Sequence, residues 1–132
     1  MGEVMNIFNI LIPKITLTYL NANDTLDKAV DFLMASGFTA VPVIDDEGRF
    51  VGIAGEGDFL RIVMENGREA LRRFTVKDIV RANEDDYVLN CADNDEIMEK
   101  ILDRNFISVI DDRRIFCGII TRRSVMLNMN EE

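Results

Sequence analysis

The sequence predicts an α/β protein, of the α+β kind, built from two copies of one β-α-β-β-α unit. Three observations carry this expectation. The phrase VIDDEGRFVGIAG, Val43 to Gly55, returns as VIDDRRIFCGIIT, Val109 to Thr121, with no gap between the two. An apolar stripe at helical spacing precedes each phrase, and a second helical segment follows each. A short apolar run opens each half as a strand.

The elements follow in chain order. Residues 1–14 form a lead-in, in which Val4, Ile7, Phe8 and Leu11 have the i, i+3, i+4, i+7 spacing of a short helix. This segment has no basic start and no cleavage site, so it is not a signal peptide. It is also far shorter than the ~20 apolar residues that span a bilayer, so packing on the body or on a partner is expected. The first copy, 15–67, opens with a strand over Ile15 to Leu20. Leu26, Ala29, Val30, Leu33 and Met34 then make a helix, with Asp24 as its N-cap and Gly37 at its end. The hairpin follows, its DDEG turn using Asp for side-chain bonds and Gly for positive φ. A helix over Asp58 to Glu65 closes at Gly67.

Residues 68–80, REALRRFTVKDIV, link the copies, helical to Phe74 and restarting at a Thr75/Asp78 capping box. The second copy, 81–132, repeats the pattern with a strand at Tyr87 to Leu89. Its first helix carries Ile97, Met98, Ile101 and Leu102, capped by Asp93 or Asp95, and its last runs from Ser124 to Met129. Its turn, DDRR, lacks glycine and should differ in detail. Counted from Leu33 and Leu102, this copy is about three residues shorter between helix and hairpin. Half of 132 residues makes a poor core alone, so the copies should pack sheet on sheet about a pseudo-two-fold axis, leaving clefts between them.

Composition removes several classes of function. The chain is 48% hydrophobic and 30% charged, which suits a compact body. Its 24 acidic against 15 basic residues, net −9, argue against nucleic-acid or anionic-membrane binding. There is no histidine, and Cys91 and Cys117 form no CxxC pair, so a Cys/His zinc site is excluded. Cys117 lies in an apolar run and reads as a core residue. No Cys–His pair, P-loop or Rossmann glycine pattern supports an enzyme. Asp45-Asp46 and Asp111-Asp112 sit in turns, where turn formation outweighs acid–base work. No cofactor is implied, and the cytoplasm is the expected compartment.

The copies differ at the turn from last strand to last helix. In the second, Thr121-Arg122-Arg123 falls there, where backbone N–H groups and the helix dipole favour an anion. A hydroxyl and two guanidiniums suit phosphate oxygens. The arginine pair alone would equally suit surface ion pairs. The repeat, with a further positive charge from Lys14 on the other copy, favours phosphate. The first copy has Gly55 and Glu56 at the matching places, and a carboxylate there repels phosphate. Asp58 reads as an ordinary N-cap. Arg68, Arg72 and Arg73 read as a solvated face balancing nearby acids, or a partner surface.

AVPVIDDEGRFVGI and ISVIDDRRIFCGIITRR, with helices around them, resemble a tandem pair of CBS domains, also called a Bateman module. The resemblance spans Ile15 to Met129. It implies adenine-nucleotide binding in the clefts between copies and a disc-shaped homodimer. Many CBS motifs read G-h-x-T-x-x-D, with Thr and Asp on a ribose. Here that motif is split between Asp58 in one copy and Thr121 in the other. IPKITL, GFTAVPVI and the closing TRR further resemble the stand-alone CBS-pair receptors for cyclic di-AMP of Gram-positive bacteria. That family implies ligand contacts at Lys14, Thr16, Phe38, Thr39, Ala40, Thr121, Arg122 and Arg123. By residue type alone, Phe38 reads as a core aromatic following a helix. The implied function is a non-catalytic sensor that binds cyclic di-AMP and modulates a partner protein. The alternatives are an AMP, ADP or ATP sensor on the same scaffold, and an interaction module without ligand.

Overall fold

The computed structural model describes residues 6–130. It divides into two compact units, residues 18–82 and residues 1–17 with 83–132. The chain begins in the unit of the second copy, leaves it to build the first, and returns.

In the unit of the first copy, β2 (Leu20–Asn21) pairs in parallel with β3 (Ala40–Ile44), which pairs antiparallel with β4 (Phe50–Gly55). Helix α2 (Leu26–Ser36) buries Leu26, Ala29 and Leu33 against this sheet. Burying each such leucine contributes roughly 1.5–3 kcal/mol. Met34, expected on the same stripe, is 66% exposed. Gly37 ends α2 in the left-handed conformation (φ 75°), as its position implies. The N-cap is Thr25 rather than Asp24; Thr25 donates its hydroxyl to Asp27 instead of capping the helix. Helix α3 (Glu56–Asn66) starts two residues before the expected Asp58. The link adds a short helix, α4 (Ala70–Arg73), and the Thr75/Asp78 capping box forms, with the Thr75 N–H donating to Asp78 at 2.9 Å. Val76 is fully buried, so the link completes the core of this unit.

The unit of the second copy repeats the plan. Strand β5 (Tyr87–Leu89) is parallel to β6 (Phe106–Ile110), and β6 is antiparallel to β7 (Phe116–Thr121). Helix α5 (Asn94–Ile101) is capped by Asp93, and buries Ile97 and Ile101; Leu102 is 67% exposed and falls outside the stripe. Ile101 therefore takes the place of Leu33, and α5 has 8 residues where α2 has 11. Helix α6 (Arg122–Asn130) starts two residues before the expected Ser124.

The hairpins match down to their irregularities. Both shift register at one place, Val43/Ile44 and Val109/Ile110. The turns, expected to differ, are the same. Asp45 accepts from the N–H groups of Glu47 and Arg49, and Asp111 from those of Arg113 and Ile115. Arg114 takes the place of Gly48, at φ 68° against 83°. A non-glycine residue there costs on the order of 1–3 kcal/mol. The Arg114 guanidinium lies 5.1 Å from the centroid of the Tyr87 ring, a contact that offsets part of that cost.

The lead-in belongs to the second unit. Helix α1 (Ile7–Ile10), capped by Asn6, buries Ile7 and Ile10 in the core with Val88, Ile97 and Val125. Phe8 points away, 74% exposed, and Val4 lies outside the described residues. Strand β1 (Ile12–Pro13) then pairs antiparallel with β7, Ile12 opposite Ile119 and Pro13 opposite Gly118. The strand expected over Ile15 to Leu20 is replaced by a 3₁₀ turn, Lys14–Thr16, because the chain must leave the β7 edge before β2 starts.

That pairing needs a glycine. A Cβ at Gly118 (φ 154°) would stand 2.2 Å from the Ile12 carbonyl oxygen. The first copy has the same feature, where a Cβ at Gly52 would stand 2.3 Å from the Arg81 carbonyl. Gly118→Ala should therefore detach β1 and cost about 2–3 kcal/mol in urea unfolding, as overpacked sites do. Gly57→Ala, a helical site with nothing within 4 Å, should be neutral or stabilising by about 0.5–1 kcal/mol. Equal effects of the two would show that β1 is not held this way.

Candidate functional site

The strand-to-helix turn of the second copy is built by a reciprocal capping box. The Thr121 N–H donates to Ser124 Oγ at 3.0 Å, and the Ser124 N–H donates to Thr121 Oγ1 at 2.9 Å. The Ser124 hydroxyl in turn donates to the Thr121 carbonyl. Thr121 Oγ1 is thus used as an acceptor, which leaves its proton to donate outward.

The two arginines are not equivalent. Arg122 is tied down: its Nε–H donates to the Ile101 carbonyl at 3.0 Å, and an Nη–H donates to the Leu102 carbonyl at 2.6 Å. Arg123 is exposed and makes no described hydrogen bond or ion pair. Both line an open groove of about 760 Å³ along α6, with Met126, Leu127 and Met129.

Lys14 and Thr16 lie in this same unit. Strand β1 delivers them to β7, so the lysine expected from the other copy is supplied next to the second copy's own last strand. The Cys117 thiol reports that proximity. Burial pushes its pKa up, Asp111 adds to the rise, and the Lys14 ammonium opposes it. The antiparallel register passes from Ile12 opposite Ile119 to Pro13 opposite Gly118, so Lys14 follows beside Cys117, on the stretch of β7 that precedes Thr121. The Thr16 hydroxyl donates to the Pro13 carbonyl at 2.9 Å and holds the turn closed.

Phe38, Thr39 and Ala40 lie in the other unit, between the end of α2 and β3. Phe38 is 59% exposed, so its reading as a core aromatic does not hold. The Phe38 N–H donates to Ser36 Oγ, and the Thr39 carbonyl accepts from the Glu56 N–H at 2.9 Å. This segment is therefore fixed against the start of α3.

The matching turn of the first copy has opposite chemistry. Asp58 is the N3 residue of α3 rather than its N-cap, and it is 4% exposed. Its carboxylate accepts from the Gly55 N–H at 2.9 Å, Arg81 Nε at 2.8 Å and Arg61 Nη1 at 3.3 Å. Arg81 also exchanges both backbone bonds with Ile53. Nothing in the repeat pointed to Arg81 as the partner of Asp58, because the two are far apart in sequence. Both close approaches had a signal, however, in a glycine at the same place within β4 and β7. The Arg68–Arg73 cluster behaves as the expected solvated face. Arg72 helps lower the pKa of Asp27, although the Thr25 hydroxyl is the larger cause. Among the described residues no group of three or more His, Cys, Asp or Glu side chains could hold a metal.

Two β-α-β-β-α units in one chain, only one with a cationic strand-to-helix turn, define a duplicated α/β module whose copies have diverged in charge. The chain belongs to the CBS domain family. That family's profile matches residues 4–65. The crystal structure of a CBS domain protein from Streptococcus pneumoniae TIGR4 is 30% identical, with a TM-score of 0.82 over 92% of this chain and 84% of that one. Cyclic di-AMP receptor B of Bacillus subtilis (strain 168) is 26% identical over 121 residues, covering 87% of this chain and 80% of the receptor. The crystal structure of CbpB in complex with c-di-AMP gives a TM-score of 0.88 at 26% identity, over 96% of this chain and 85% of that one.

The capping box makes one structural expectation definite. Ser124→Ala removes one acceptor and leaves the Thr121 N–H without its partner, so it should cost about 1 kcal/mol in urea unfolding. No change in the unfolding midpoint would show that the box contributes nothing to stability.

Proposed function

We propose that this protein is a non-catalytic sensor of cyclic di-AMP that regulates a partner protein in the cytoplasm. The observation that carries this is the cationic strand-to-helix turn Thr121-Arg122-Arg123, in the same unit as Lys14 and Thr16, whose strand β1 pairs along β7. This is a cationic site in a chain of net charge −9. The relatives whose names specify cyclic di-AMP support the choice of ligand. The phosphates are held by Arg123 and by Arg122 N–H groups not bound to α5, with Thr121 donating its hydroxyl and Lys14 adding charge. Phe38, with the backbone of Thr39 and Ala40, offers an adenine an exposed aromatic face. The first-copy turn takes no phosphate, because Glu56 is exposed there and Asp58 already holds two guanidiniums. AMP, ADP and ATP are the competing ligands, and a ligand-free interaction module is the remaining alternative.

Calorimetry separates these readings. Cyclic di-AMP should bind more tightly than AMP or ATP. Arg123→Ala and Lys14→Ala should each weaken binding by about 1.5–3 kcal/mol, and Glu56→Ala should change little. Heat with ATP and none with cyclic di-AMP would overturn the assignment.

The protein is further proposed to act as a homodimer. Helix α3 exposes Leu60 and Met64, and α6 exposes Met126, Leu127 and Met129, apolar side chains that a dimer interface would cover. Sedimentation should give twice the mass of 15.0 kDa, and Met64→Lys with Leu127→Lys should return it to the monomer. A monomer at micromolar concentration in the unchanged protein would refute this assembly.

A further inference from the structure

We infer that Arg122 braces the C-terminus of α5 to the phosphate site, so that ligand occupancy is felt in the last turn of that helix. The inference rests on the proposed phosphate site and assigns Arg122 a positioning role within it.

The first observation is how α5 ends. Helix α2 stops at Gly37, whose left-handed conformation turns the chain away. Helix α5 is followed by Leu102-Asp103-Arg104-Asn105, with no glycine, and Leu102 still has right-handed helical geometry. Backbone closure there is long, with the Asp103 N–H on the Lys100 carbonyl and the Arg104 N–H on the Ile101 carbonyl both at 3.4 Å, which leaves room for a stronger donor. Arg122 supplies it, donating to the carbonyls of both Ile101 and Leu102. A guanidinium at a helix C-terminus also meets the negative end of the dipole.

The second observation is internal to the chain. In the first copy the place of Arg122 is taken by Glu56, which cannot donate. That copy has the glycine cap that the second lacks. The two differences go together: where the arginine is present the glycine is absent, and the reverse.

The third is capacity. A guanidinium carries five N–H groups, and two are committed to α5. Three remain on the same rigid plane for phosphate oxygens. Arg122 can thus hold helix and ligand together, and it meets the ligand already oriented, which saves the ordering cost that the free Arg123 side chain incurs. A bound phosphate fixes the guanidinium further and so tightens its hold on the Ile101 and Leu102 carbonyls. The exposed side chain of Leu102 lies at that point, on the surface where a partner would read the change. A lysine keeps the charge but not the fork, and cannot hold two carbonyls and a phosphate in one plane.

Amide hydrogen exchange on the full chain, with calorimetry, tests this. Without ligand, Arg122→Lys should exchange faster than the unchanged protein at residues 102–104, and Arg123→Lys should not. Saturating cyclic di-AMP should slow exchange at those residues in the unchanged protein and in Arg123→Lys, but not in Arg122→Lys. Affinity should fall about tenfold or more in Arg122→Lys, which loses the anchored orientation as well as the fork. Unaltered exchange in unliganded Arg122→Lys would refute the brace. Ligand that binds the unchanged protein but leaves residues 102–104 as they were would refute the coupling and spare the site. Absence of any heat with the unchanged protein would instead remove the phosphate site itself, and the coupling with it.

Discussion

The close approach of two backbones at Gly118 governs the rest of the site. With no side chain at that residue, the Ile12 carbonyl sits where a Cβ would stand, and β1 lies along β7. Everything that follows β1 is placed by this contact. Lys14 follows alongside β7 past Gly118, and the 3₁₀ turn with its Thr16 bond directs the chain away towards β2. The placement of Lys14 beside β7 depends on a backbone contact between segments more than 100 residues apart, as Ile12 and Gly118 show.

The same architecture in the other unit carries no such cation site. Arg81 crosses Gly52 as Ile12 crosses Gly118, but it brings a guanidinium to a buried carboxylate. Asp58 needs that partner, since burying a carboxylate that is 4% exposed is costly unless it is hydrogen-bonded and paired. Charge is therefore consumed within the first copy and left available in the second. The two equivalent turns differ in the residues that start α3 and α6, which make the first self-neutralising and give the second two arginines.

The halves also show how far pattern reading extends. The β-α-β-β-α order, Gly37 as the stop of α2, Asp93 as one of two candidate caps and the Thr75/Asp78 box were legible, because each rests on neighbours within a few residues. Helix starts were misjudged by two residues at α3 and α6, because Asp58 and Ser124 cap from the N3 position. The DDRR turn was expected to differ from DDEG, yet Asp111 imposes the same bonds and Arg114 accepts the left-handed conformation. Phe38 resembled a core residue because it follows an apolar stripe, but it lies beyond Gly37, whose left-handed conformation ends α2, and is 59% exposed.

Sequence by itself determined the duplication, the element order and the arginine pair that marks the second copy as the cationic one, since these follow from local periodicity and side-chain chemistry. Only the tertiary structure decided which unit receives Lys14, which carboxylate Arg81 neutralises, and that Arg122 is anchored while Arg123 is not. Those outcomes depend on the path of the chain in space, which leaves the second unit after its first strand and returns to it after the link. No local pattern encodes that crossing beyond a glycine within each of two strands.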